Sequence, residues 1–141
     1  MSAFKTLECN IVDLECLLEA LKLLGLEPEI YDNPQYLFGY RNDRREEKAN
    51  IIIDRSKINK YTGASNDIGF KWNEDTKKYD MIVSEYDKKL KMDLRIIQAY
   101  TKVVIEKALE ENGFKIKVNI NDDELKQKRI DDINIVARKI I

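Results

Sequence analysis

Two stretches of the 141-residue chain gather side chains that could bind or react. The first is Tyr36-Leu37-Phe38-Gly39-Tyr40-Arg41-Asn42-Asp43-Arg44-Arg45, in which Tyr36 and Tyr40 stand beside Arg41 and two further arginines. Aromatic faces stack on bases and arginines neutralise phosphates, so this mixture suits a single-stranded nucleic acid. Asp43, Glu46 and Glu47 nearly cancel the local positive charge, and the plainer reading is a strand ending in a solvated turn. The second stretch is Asn66-Asp67-Ile68-Gly69-Phe70-Lys71-Trp72-Asn73. A glycine within a strand marks a bulge or the close approach of another group. Trp72, the single tryptophan, could anchor a protein partner or sit in the core with its N–H satisfied. Asp67 near Lys71 is either a site pair or an ordinary strand-end ion pair. Asp80, Glu85, Asp87 and Asp93 form a third, acidic group, and paired acids do acid–base work where burial separates their pKa values.

Other chemistries have little to work with. The chain has no histidine, which removes the usual general base near neutral pH and the commonest metal ligand. Cys9 and Cys16 are seven positions apart and match no C-x-x-C redox or zinc spacing. Both read as small buried hydrophobes. No Gly-rich phosphate loop, nucleophile elbow or ligand set is present, so the expectation is no cofactor, no metal and no catalytic residue. Lys and Arg total 25 against 26 Asp and Glu, a net charge of −1, and a duplex-DNA reader ordinarily shows a basic excess. Leu14 to Leu26, the most apolar stretch, is interrupted by Glu15, Glu19 and Lys22; that is an amphipathic helix rather than a membrane span. The N-terminus has no apolar run of signal-peptide length. The expectation is a soluble chain of the reducing cytoplasm, or of the plastid stroma if plastid-encoded, with no membrane association and no stated oligomeric state.

The elements that must position these residues follow from periodicity. Phe4–Ile11 reads as a strand with Leu7, Cys9 and Ile11 on one face. Asp13 is placed as an N-cap, Leu14, Leu17, Leu18, Leu21 and Leu24 form a helical stripe, and Gly25 stops it. Glu29–Tyr31, Tyr36–Tyr40 and Ala49–Asp54 read as short strands, the run Ile51-Ile52-Ile53 being covered on both faces. Ser56–Asn66 reads as a surface loop, and Asp67–Trp72 with Tyr79–Tyr86 as a strand pair joined by a polar connection. Lys91–Asn112 is helical, with Gly113 at its end. Phe114–Asn121 alternates like a half-buried strand, Ile133–Ile141 suggests another, and the charged Asp122–Asp132 lies between them as a turn or short helix. The fold class is α+β in a single domain, residues 1–141: a largely antiparallel sheet of about five to seven strands with two main helices packed on one face.

Several in-order motifs carry a family resemblance. They are Met1, Ser2, Phe4 and Thr6; Asp13-Leu14 with Ala20-Leu21 and Leu24-Gly25; Gly39-Tyr40-Arg41; Ala49-Asn50-Ile51-Ile52-Ile53; Asp67-Ile68-Gly69-Phe70 with Trp72-Asn73; and Tyr100. The chain resembles a small uncharacterised family of conserved open reading frames of cyanobacteria and algal plastids. Ser56–Asn66 reads as an insertion relative to that family, and the tail from Asp122 as longer and more charged. The resemblance implies a compact α+β domain with an accessory role, and it draws attention to Tyr40, Arg41, Asp67, Gly69, Trp72, Asn73 and Tyr100. The functional expectation is a non-enzymatic accessory or regulatory domain that binds another protein, through Tyr36, Tyr40, Arg41, Asp67, Trp72, Asn73 and Tyr100. The alternatives are a single-stranded nucleic-acid-binding module and an uncharacterised carboxylate-based enzyme.

Overall fold

The computed structural model describes residues 3–63 and 65–113. The chain forms two compact units, Met1–Tyr100 and Thr101–Ile141. The first holds β1 (Phe4–Ile11), α1 (Leu14–Leu23), β2 (Glu29–Phe38), β3 (Arg44–Ile53), α2 (Arg55–Thr62), β4 (Ile68–Asn73), β5 (Lys78–Ser84), α3 (Glu85–Lys89) and the first part of α4 (Met92–Glu111). In the second, the described residues are the end of α4, Asn112 and Gly113, the last taking the left-handed conformation (φ 79°) that ends a helix. Phe114–Asn121, Asp122–Asp132 and Ile133–Ile141 lie outside the described residues.

The five strands form one sheet in the order β1-β5-β4-β3-β2, every neighbouring pair antiparallel. Register places Ile51, Phe70, Met81 and Leu7 in one row and Ile52, Gly69, Ile82 and Thr6 in the next, on the opposite face. Ile51, Phe70 and Met81 are sealed from solvent, as are Ile53, Ile68 and Val83. The helices contribute the matching apolar residues: Leu17, Ala20 and Leu21 of α1, Ile58 of α2, and Met92 and Ile96 of α4. The Asp13 carboxylate caps α1 by accepting from Cys16 N at 3.1 Å.

The second face is closed differently. Leu37, Ala49, Ile52 and Ile82 form a buried cluster with Phe4 and Tyr31 against it. β3 and β1 are separated by β4 and β5, three spacings of about 4.8 Å in the plane of the sheet. Yet the Arg45 guanidinium lies 5.2 Å from the ring centre of Phe4. Leu37, two strands from β4, comes so close to Gly69 that a Cβ there would stand 3.0 Å from Leu37 Cδ2 and 2.6 Å from Ala49 Cβ. Both approaches require the distal half of the β2–β3 hairpin to bend over the sheet. The register shifts between Ile30/Gln35 and Tyr36/Phe38 supply the irregularity for the bend. Gly69 is therefore a contact residue: its missing side chain is the space that Leu37 and Ala49 fill.

Several boundaries differ from the sequence expectation. Glu29–Tyr31 and Tyr36–Tyr40 join into one strand, β2, and Ala49–Asp54 is the end of a longer strand, β3. Pro34 sits inside β2, tolerated because β2 is an edge strand. Ser56–Asn66 is not a loop throughout, since α2 occupies Arg55–Thr62, capped by Asp54 and closed by Gly63 at φ 80°. β5 stops at Ser84, whose hydroxyl caps α3, so Tyr86 is helical. The two main helices expected are α1 and α4, and two shorter ones, α2 and α3, accompany them among the described residues. No helix there is long and apolar enough to cross a membrane.

Candidate binding site

The Asn66-Asp67 dipeptide ties the molecule together. Asp67, 3% exposed, accepts from Phe38 N at 2.8 Å through Oδ2 and from Arg55 N at 2.9 Å through Oδ1. Its own N–H donates to Phe38 O at 3.0 Å. Asn66 accepts from Tyr40 N at 2.8 Å, donates its side-chain amide to Ser84 Oγ at 3.0 Å and its backbone N–H to Asp87 Oδ2 at 3.2 Å. One short segment thus holds the hairpin end, the start of α2 and the start of α3. Burial pushes the Asp67 and Asp87 carboxyls up, while the hydrogen bonds they accept pull the other way. Both carboxylates serve the chain's own donors, and Asp67 is a latch rather than an exposed contact.

Tyr36 and Tyr40 lie outward, 37% and 58% exposed, and Arg41, next to Tyr40 in the chain, is exposed as well. The Arg44 guanidinium lies 4.6 Å from the centre of the Tyr36 ring and Lys48 Nζ lies 4.5 Å from it, distances at which the ring quadrupole attracts a cation. Lys48 also lines an open groove of about 610 Å3 with Glu46, Glu47, Lys71 and Trp72. Lys48 therefore connects the Tyr36 surface to Trp72. Trp72 is half-buried; it meets Tyr79, its cross-strand partner, edge-on at 4.9 Å and donates its indole N–H to Glu74 at 3.0 Å. Asn73 organises the β4–β5 turn, its Oδ1 accepting from Asp75 N at 3.0 Å and Thr76 N at 3.3 Å while its amide donates to Asp80 at 3.1 Å.

Tyr100 stands apart from these surfaces. Buried in α4, its hydroxyl accepts from Val12 N at 3.0 Å and Asp13 N at 3.1 Å, fixing the β1–α1 junction. The Tyr36–Arg41 and Asp67–Asn73 segments do meet, at Phe38–Asp67 and Leu37–Gly69, with Tyr40–Asn66 adjoining them. The hairpin offers backbone N–H groups to the Asp67 and Asn66 side chains and the Leu37 side chain to Gly69, while Tyr36, Tyr40 and Arg41 stay exposed.

A second cavity, about 320 Å3, opens on the other side of Tyr36 and is lined by Glu29, Tyr31, Phe38, Asp54 and Asp67 among others. Glu29, Tyr31 and Asp54 carry no signal in sequence as binding residues. Only the Asp54-x-Ser56 cap pattern was there to read, and it points to a helix start. Among the described residues, no group of three or more His, Cys, Asp or Glu side chains is placed to hold a metal ion.

Fold and surface together define a small α+β protein: a helix-backed antiparallel sheet whose longest hairpin bends over its free face. The chain belongs to the family described as "Protein of unknown function (DUF1257)", whose model matches residues 20–128. That membership agrees with the resemblance to an uncharacterised family. Among curated proteins and among solved structures, none matches the chain.

Proposed function

We propose that this protein is a non-enzymatic accessory or regulatory domain that binds another protein through the outer surface of the bent β2–β3 hairpin. The observation that carries the reading is Tyr36, held outward under Arg44 and Lys48 and continuous through Lys48 with the Trp72 groove. Tyrosine and arginine are enriched among the hot spots of protein interfaces, and Tyr36 with Arg44 supplies that pair. The hairpin is braced from below by Leu37 and Ala49 and at its end by Asn66 and Asp67, so a partner meets a surface already ordered. The engagement of Asp67 and Asp87 with internal donors supports a structural rather than a catalytic use of those acids.

A second reading, single-stranded nucleic acid, is favoured by the same Tyr36 platform with Arg44 and Lys48 close to it and an exposed Arg41 in the hairpin turn. Glu46 and Glu47 in the adjoining groove oppose it. The two are separated by purifying the tagged protein gently from its native host and identifying what accompanies it. A protein in stoichiometric amount that is lost from the Tyr36→Ala, Tyr40→Ala double variant supports the first reading. Salt-sensitive retention of nucleic acid, lost on Arg41→Ala, supports the second.

A further inference from the structure

The cavity between β2, the end of β3 and the start of α2 differs in charge from the outer hairpin surface. Its acidic lining residues are Glu29, Asp54 and Asp67, its aromatic ones Tyr31, Tyr36 and Phe38, and no Lys or Arg is among the residues that line it. The cations around it have other partners: Arg44 and Lys48 are engaged with the Tyr36 ring, and of the two that follow Asp54 in sequence, Arg55 directs its guanidinium to Asn42 at 3.0 Å and Lys57 its ammonium to Glu27 O at 2.7 Å. Asp67 spends both oxygens on the backbone N–H groups of Phe38 and Arg55, but Asp54 and Glu29 are only partly used. Asp54 accepts from Ser56 N at 3.0 Å and Ser56 Oγ at 2.6 Å, both through Oδ1. Glu29 accepts from the Tyr31 hydroxyl through Oε2. The second oxygen of each remains to receive a donor.

We propose that this cavity takes the arginine side chain of a basic segment on the partner protein. Three features point to that occupant. Acidic side chains along an open cavity that no Lys or Arg lines favour a positive guest. The tyrosine and phenylalanine walls suit a flat guanidinium, which stacks on aromatic faces and forks onto carboxylates, better than a compact ammonium. The volume, about 320 Å3, accommodates one long side chain. The neighbouring Trp72 groove extends the complementarity, since Glu46, Glu47, Glu74 and Asp80 outnumber Lys48 and Lys71 along it. This inference rests on the protein-binding reading and specifies the partner's chemistry.

The test uses the full-length, isotope-labelled protein titrated by NMR with acetyl-arginine methylamide, and with acetyl-citrulline methylamide as a neutral probe of the same shape. The arginine probe should shift the amides of Tyr31, Gln35, Tyr36 and Ile52 and bind about tenfold more tightly than the citrulline probe. The double variant Glu29→Gln, Asp54→Asn keeps the α2 cap, because Asn caps as well as Asp. With an unchanged melting temperature it should weaken the arginine probe about tenfold. Equal binding of both probes, shifts elsewhere on the surface, or an unchanged affinity in the variant would each overturn the inference. A free polyamine that binds the cavity while basic peptides do not would overturn it too. The protein-binding reading fails separately, if native purification yields no partner that depends on Tyr36 and Tyr40.

Discussion

Gly69→Ala tests the bent hairpin at its tightest point. The backbone at Gly69 has no positive φ, so in an open strand the change would be neutral or stabilising by about 0.4–1 kcal/mol through the unfolded chain. Here the new Cβ would stand 2.6 Å from Ala49 Cβ and 3.0 Å from Leu37 Cδ2, against a resting carbon–carbon separation of about 3.5–4.0 Å. Ala49 has no rotamer with which to yield, so the hairpin must lift or β4 must shift. Overpacking of this kind costs about 1–3 kcal/mol. For a unit of this size that is a fall in melting temperature on the order of 5–20 °C. Thermal and chemical denaturation of Gly69→Ala, Ala49→Gly and the double variant give the coupling directly. A favourable coupling of about 1 kcal/mol or more between contacting positions is the expected result. Purely additive effects, or a Gly69→Ala variant as stable as the wild type, would refute the placement of Ala49 over Gly69.

Three further outcomes follow from the internal hydrogen bonds. Asp67→Asn replaces one of two oxygens that each accept a backbone N–H with a donor, and should lower stability by about 1–3 kcal/mol in denaturant titration; an unchanged midpoint would remove the latch. Tyr100→Phe strands the N–H groups of Val12 and Asp13 and should cost about 1–3 kcal/mol, with faster amide exchange at both positions as the local sign. Burial raises Asp87 above its ordinary 3.8. Its contribution to stability is therefore full below that value and lost as pH rises through the raised one. Asp87→Asn should gain on the wild type as the pH of the denaturation series rises from below 3.8 towards neutrality; a variant that loses ground over that range would reverse the sign.

The parts of the fold legible in sequence are those with a repeating apolar pattern. The α1 stripe from Leu14, with Asp13 before it and Gly25 after, marks that helix because periodicity, cap and stop coincide. The Ile51–Ile53 run is buried throughout, as a doubly covered strand requires. Helix α2 was hidden because Ile58 is its one buried residue; a single apolar position defines no stripe, although Asp54 and Gly63 mark its two ends. In sequence Asp32-Asn33-Pro34 looks like a turn that divides β2, whereas an edge strand with a register shift absorbs it. The site was legible only as a set of residue types. Asp67 serves amides 29 and 12 positions away, and the cavity joins β2 residues to Asp54 and Asp67. Neither relation leaves a local pattern. Gly69 was the exception, a strand glycine that signals close approach before the approaching group is known.

The account stands or falls on whether the outer hairpin surface recruits a protein. The most direct measurement compares wild type with the Tyr36→Ala, Tyr40→Ala variant, both tagged in the native host, by gentle purification and quantitative mass spectrometry, after matching their melting temperatures. The account predicts one protein in stoichiometric amount with the wild type and its loss from the variant, since both rings lie outward and the hairpin's bracing comes from Leu37, Ala49, Asn66 and Asp67. The same partner retained in full by a folded variant, or nucleic acid as the sole companion of the wild type, would contradict it.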